Sequence, residues 1–459
     1  MVGSDVAIRR LRYSWMWGAA AAASAAIAGV AAAVVGPTAA LLAIAGVMAA
    51  VVFARMPGVL LAAYLLIPVY KGFAQPYSPI DLTVTLAGLN MLQAIPLVID
   101  GRLPRVSRLG IALWVALAGL VLFGVLYAPN QGLALSRAAN YWVLVFLALL
   151  PPAIRVASTP KFVRQFLWTF YGVGVLTVLL GLVSLKASQR LTVFEADTID
   201  TARVALLVPL LGVALVWRVG SPLLRCIAII LIPAAIIVAI ATGSRGPLLI
   251  LVVLSALAIV RAIVEPRSAD WRVMSLAAGV AFVLVFVISV AAPDLPTSST
   301  GRITQLGQAL ESSLSGGAYV PSDQSRLTLY GYAVSLFEEQ PLIGNGTASY
   351  SALSIRDLGP QGAAAYPHNA LLQFAAEYGL LGLMLFVGIV LLALVRKQAR
   401  GSTWSALRWL FMFFLLNAMV SGNILEERAL WGLLLLLVMA ADVQPVSRCT
   451  GESRESDGV

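Results

Sequence analysis

Apolar residues in this chain fall in long, nearly uninterrupted runs, without the three-to-four spacing or strict alternation of a soluble core. A run of about 20 such residues matches the thickness of a bilayer's hydrocarbon core when helical. Fourteen runs can be drawn, at residues 14–35, 38–54, 57–73, 79–99, 107–128, 138–156, 163–186, 203–219, 221–242, 246–264, 272–292, 370–395, 404–421 and 425–442. The run at 38–54 is short, 57–73 carries Pro68, and 79–99 holds Asp81, Asn90 and Gln93, so the pattern predicts twelve to fourteen spans. The expected fold class is all-α, a polytopic transmembrane helix bundle. Because many runs follow the first, that run is expected to be a retained span and not a cleaved leader.

One long polar segment interrupts the pattern, which divides the chain into a transmembrane bundle at 1–292, a large loop at 293–369, further transmembrane helices at 370–442 and a tail at 443–459. The loop opens with PDLPTSSTGR (293–302), continues into a short helix ending near 314, and then passes through GGAYVPSDQS. In RLTLYGYAVSLFEEQ (326–340), Leu327, Tyr330, Val334 and Phe337 share one helical face, and Pro341 with the glycines of PLIGNG (341–346) ends the helix. The segment reads as an amphipathic helix on the membrane surface, capping a cavity. A smaller loop, KASQRLTVFEADTIDTAR (186–203), holds three acidic residues and ends in Arg203.

Composition agrees: the chain is 60% hydrophobic and 11% charged, with a mean hydropathy of +0.92. With the N-terminus in the cytoplasm and alternating spans, roughly two of every three of the 31 Lys and Arg residues face inward. This bias predicts both termini inside, in a cytoplasmic (inner) membrane, and puts the large loop on the extracytoplasmic side. Tryptophans near span ends, such as Trp142, Trp217 and Trp404, fit interfacial belts. The net charge of +10 is then a topology signal facing anionic membrane lipids and implies no nucleic-acid partner. Cys226 and Cys449 fall on the inner side without a second cysteine nearby, which argues against a disulfide or a cysteine metal site.

The candidate chemistry lies on the outer side. Arg203 and Arg245 begin spans, Arg326 begins the surface helix, and Arg356 precedes His368. Arg245 stands in a Gly-Ser-Arg-Gly turn at a helix N-terminus, where exposed N–H groups and the helix dipole favour an anion, and its planar fork suits phosphate oxygens. These arginines suggest a site for a phosphate-bearing lipid headgroup. His368, in YPHNALLQF (366–374), is the single histidine of 459 residues. Near several arginines it stays neutral and able to accept a proton, the profile of a general base. With no second histidine and the cysteines on the other side, a histidine or cysteine metal site is not expected; a carboxylate-only Mg²⁺ or Mn²⁺ site stays open, although no D-x-D stands at the outer face, and no cofactor is expected. Asn369 is placed to cap the next helix. Glu377, about two turns further on, is placed either to orient the histidine through an intermediary or to hold another polar partner.

The order of TGSRG (242–246), R-x₁₁-E-x₂-PLIGNG (326–346) and YPHNALLQFAAEYGLLG (366–382) resembles the O-antigen ligase and polymerase superfamily of bacterial envelope glycosyltransferases. The resemblance covers residues 200–395, and PHN-x₇-E-x-G is its most specific part. It implies a metal-independent, inverting membrane glycosyltransferase that moves a glycan from an undecaprenyl-diphosphate-linked donor to an acceptor hydroxyl on a glycan or lipid. It also implies that His368 is the base, that Arg245 and Arg203 contact the diphosphate, and that Arg326 is the loop arginine before PLIGNG. A ligase and a polymerase extending lipid-linked repeat units need the same donor chemistry. A polysaccharide or lipid transporter or flippase is the alternative from another class; the scarcity of mid-span charges and the absence of paired broken helices or a repeat in the sequence weigh against it. The sequence does not speak to oligomeric state.

Overall fold

A computed structural model describes residues 55–77, 80–99, 106–185, 191–219, 222–264, 321–358, 366–396, 402–424 and 427–440. The expected spans at 14–35, 38–54 and 272–292, the helix ending near 314 and both termini lie outside these residues. The described chain is helical throughout, without strands. In order, the helices are α1 (Pro57–Leu65), α2 (Ile67–Ala74), α3 (Leu82–Met91), α4 (Ala94–Ile99), α5 (Arg108–Val125), α6 (Gln131–Tyr141), α7 (Ala148–Ala157), α8 (Pro160–Val183) and α9 (Thr198–Ala205). There follow α10 (Leu207–Val219), α11 (Pro222–Ala241), α12 (Arg245–Val264), α13 (Pro321–Glu339), α14 (Ser349–Leu358), α15 (Ala370–Val395), α16 (Ser402–Ser421) and α17 (Arg428–Met439).

Among the described residues eight helices are long and apolar enough to cross a membrane, or nine if α1 and α2 form one span bent by 77°. With the shorter apolar helices Arg245–Val260 and Arg428–Met439, every expected span in the described part of the chain coincides with a helix. The protein is a multi-pass, all-helical membrane protein.

The centre of the bundle is α17. It is apolar on every side, and each residue from Ala429 to Met439 is buried, as expected of a helix surrounded by other helices. Trp431 is its hub. Its ring centroid lies 5.9 Å from Trp114, 5.8 Å from Tyr141, 6.1 Å from Phe374 and 5.8 Å from Phe386, mostly edge to face. In lipid there is little hydrophobic drive between helices, so close packing of this kind carries the association. The Trp431 indole N–H donates to the Ile424 carbonyl at 2.6 Å, which satisfies the hub's own polar atom.

Twelve residues give α17 a length of only about 18 Å, short of a ~30 Å hydrocarbon core. Its N-terminal end therefore stops inside the protein, and the polar residues Asn423 and Glu427 sit there instead of more helix. The break between α1 and α2 at Leu66 contributes to the same region. Irregular backbone at membrane depth persists where it is buried or lines a cavity, and here it does the latter.

A second break lies in α15, at Gly379, whose φ of +60° is left-handed. The turn PLIGNG fills it. The N–H of Leu380 donates to the Pro341 carbonyl at 2.8 Å and that of Leu381 to Leu342 at 3.1 Å. In return, Asn345 N–H donates to Ala376 at 3.1 Å and Gly346 N–H to Glu377 at 2.8 Å. Each backbone group left unpaired in lipid costs several kcal/mol, so the turn and the break stabilise each other. The approach requires glycine on both sides. A Cβ on Gly379 would meet the Leu342 carbonyl carbon at 2.5 Å, and one on Gly344 would meet Glu377 backbone at 2.4 Å. The turn is thus inserted into the bundle, with Thr347 bonded to the backbone of Val121 and Gly124 on α5.

The surface helix has a second apolar face, which packs inside the protein. The buried face of α13 is Leu329, Ala333 and Leu336, packed against Tyr350, Leu353 and Ala376, whereas Leu327 and Val334 are exposed and Tyr330 and Phe337 half-buried. Apolar residues occupy both faces of this helix, so spacing alone does not choose between them. The small Ala333 allows the close approach.

Candidate functional site

His368 is built into the strand of chain that enters α15. Its φ of +55° is left-handed, a conformation that costs a non-glycine residue about 1 kcal/mol or more unless its surroundings impose it. They do so from the next residue: the Asn369 side chain accepts from Leu372 N–H at 3.1 Å and caps α15. The imidazole rests on the Tyr366 ring, with centroids 4.3 Å apart. Its Nδ1 is buried and has no hydrogen-bond partner in the protein. Burial first, and the charge of Arg326 second, hold the imidazole pKa below its ordinary value, so the ring is neutral near pH 7. Arg326, half-buried on α13, is therefore brought within electrostatic reach of His368.

Glu377 serves another group. Fully buried, it accepts from Ala348 N–H at 3.2 Å through one oxygen and from the Gln373 amide at 3.1 Å through the other. Of its two sequence-level options, the bonds fit the second: a polar partner other than the histidine. Ala348 has a φ of +59°, so the carboxylate anchors a strained residue two positions after PLIGNG. The Gln373 carbonyl oxygen accepts from Ile424 N–H at 3.1 Å, which ties α15 to the segment before α17.

Beside Tyr366 opens a cavity of about 520 Å³, of a size that takes a small ligand or headgroup. Its walls carry four cations, Lys71, Arg137, Arg203 and Arg428. Three carboxylates, Asp197, Asp200 and Glu427, share the lining. Arg203 is only 6% exposed; it pairs with Glu427 at 2.9 Å and Asp200 at 3.3 Å, and donates to the Ser421 hydroxyl at 3.0 Å. Lys71 pairs with Asp81 at 2.6 Å, and the Arg428 guanidinium lies over the Tyr64 ring at 5.8 Å.

Arg245 begins α12 after a turn in which Ser244 N–H donates to the Thr242 hydroxyl at 3.1 Å. It is half-buried and is not part of the cavity wall. Its neighbour Gly246 packs near Val420, one residue from the Ser421 that bonds Arg203, so the two arginines approach the same end of α16. Arg356 stands apart. It bonds Asp357, whose carboxyl is held at about 2 by that arginine first and by the Tyr332 hydroxyl second, a link that joins α14 to α13.

Sequence reasoning did not single out Lys71, Arg137, Arg428, Glu427 or Gln373. A signal was present in Arg137 and Lys71, which interrupt or flank apolar runs where charge is costly and so functionally suggestive. Among the described residues no group of three or more His, Cys, Asp or Glu side chains gathers to hold a metal ion.

Comparison with known proteins adds the family. Residues 227–387 match the family model described as O-antigen ligase, a region that contains Arg245, Arg326, PLIGNG, His368, Asn369 and Glu377 but not Arg203. No curated protein matches the chain. The chain carries an O-antigen ligase family domain over residues 227–387, within a multi-pass membrane protein.

Proposed function

We propose that this protein transfers a glycan from an undecaprenyl-diphosphate carrier to an acceptor hydroxyl at the outer face of the cytoplasmic membrane, with both termini inside. The observation that carries the reading is the juxtaposition at Tyr366. This ring touches His368 and also lines the charged cavity. A neutral base thus adjoins a cavity whose wall carries Arg137, Arg203 and Arg428 beside Asp197, Asp200 and Glu427.

The neutral imidazole of His368 accepts the proton of the acceptor hydroxyl as its oxygen forms a bond to the anomeric carbon. The bond from that carbon to the diphosphate oxygen breaks, and the electron pair leaves with the carrier. Arg203, on the cavity wall, stabilises the charge that accumulates on the diphosphate, and Arg245 and Arg326, outside that wall, add to the positive field around it, an effect strengthened where water is partly excluded. A single displacement inverts the anomeric configuration. The chemistry uses side chains alone, with no metal and no cofactor.

The test is complementation by His368→Ala at matched protein level, with glycan chains resolved by gel. Loss of transfer by about 100-fold or more is expected for a general base. Normal chain length and attachment would overturn the assignment. Full-length lipid-linked polymer left unattached marks a ligase, and single repeat units mark a polymerase.

A further inference from the structure

We propose that Glu427 is an exchangeable counter-anion: it holds Arg203 until the donor's diphosphate takes its place, thereby setting how tightly the carrier binds and how readily the spent carrier leaves. The inference rests on the donor chemistry proposed above and adds to it a residue outside the matched region.

Three observations carry it. First, Arg203 is nearly fully buried yet not fully engaged: its Nε has no partner, while its other nitrogens reach Glu427, Asp200 and Ser421. A guanidinium offers five donors, so the terminal nitrogen that Glu427 vacates is open to an incoming oxyanion. Second, the charges on the wall nearly cancel, with Lys71, Arg137, Arg203 and Arg428 opposed by Asp197, Asp200 and Glu427. A wall built only to hold a diphosphate has no use for carboxylates. One that must also release a diphosphate after every turnover does, because an internal anion competes for the same guanidinium. A buried ion pair gives little net stability, so replacing one anion by another on Arg203 is nearly neutral, whereas leaving Arg203 without any anion is strongly unfavourable. Third, Glu427 has somewhere to go. It is the N-cap residue of α17, with φ −75° and ψ 61°, and its side chain makes no capping bond. A carboxylate displaced from Arg203 can turn to the first N–H groups of α17, where the helix dipole also favours it.

The experiment uses the purified full-length chain in nanodiscs. Binding of undecaprenyl diphosphate and of inorganic pyrophosphate is measured, together with KM and kcat for lipid-linked donor. Glu427→Gln keeps the shape and removes the charge. It is expected to bind undecaprenyl diphosphate and pyrophosphate about tenfold more tightly, with KM and kcat both lowered because release slows. Asp200→Asn, at the longer contact, is expected to act in the same direction more weakly, and it carries the test if Glu427→Gln does not elute as a folded species. In Arg203→Ala the Glu427→Gln gain disappears. Weaker or unchanged binding in Glu427→Gln overturns the exchange, as does a gain confined to the lipid with none for pyrophosphate. A wild-type protein that binds neither ligand overturns the transfer reading itself, so the two failures are distinguishable.

Discussion

The two halves of α15 share one helix axis up to a break and little else. Residues 370–379 carry Gln373, Glu377 and Tyr378, are almost entirely buried, and exchange hydrogen bonds with PLIGNG, Ala348 and Ile424. Residues 380–395 present Leu380, Leu381, Met384 and Leu391 outward and bury one stripe including Phe386, Ile389 and Ala393. The second half follows the bilayer: many apolar side chains would serve. The first half answers to particular partners, and it is the half that the chain enters from His368. Position in this protein is set by polar groups satisfied one at a time within a scaffold held by shape.

Glycine substitutions break that comparison most sharply. Gly379→Ala puts a Cβ within 2.5–2.6 Å of the Leu342–Gly344 backbone at a left-handed φ, and neither side can yield without opening the inserted turn. A loss of several kcal/mol is expected, seen as aggregation or a lowered Tm in detergent. Gly388→Ala, nine residues along the same helix, meets nothing within 4 Å and is expected to be neutral or slightly stabilising. Equal losses at both positions would erase the distinction between the halves.

Glu377→Leu comes next. It leaves Ala348 N–H and the Gln373 amide without their acceptor, at a cost of about 1–3 kcal/mol. Glu377→Gln keeps an acceptor oxygen for Ala348 and is expected to recover most of the Tm. Activity lost in the glutamine variant at full stability would assign the carboxylate a charge role instead of an anchoring one.

The scaffold half of this arrangement is legible in the sequence and the polar half is only partly so, for a physical reason. Lipid enforces a local rule, so runs such as 107–128 and 163–186 appear as helices at Arg108–Val125 and Pro160–Val183. His368 and Asn369 are also local signals: one is unique in composition and the other sits three residues before the N–H it caps. The Arg203–Glu427 pair joins residues 224 positions apart, and no periodicity links them. The same holds for PLIGNG and Gly379, each legible as a turn or a kink alone, whose mating appears only in three dimensions. On α13 local information was present but ambiguous, since Leu327 and Leu329 lie on different faces and both are apolar.

The smallest effect concerns the field across the site. Arg326 disfavours the imidazolium form of His368, so its removal raises the histidine's pKa. A base must be neutral to act, and the acid limb of the kcat/KM profile therefore moves to higher pH in Arg326→Gln. The limb still lies below the ordinary imidazole range, because burial, the larger cause, is untouched. Arg326→Lys keeps the charge and is expected to leave the limb where the wild type has it, even if donor binding weakens through the lost planar fork. Profiles normalised to their plateaus separate these effects. An acid limb that moves downward in Arg326→Gln, or that moves equally in the lysine variant, would mean that Arg326 acts on His368 through packing and not through charge.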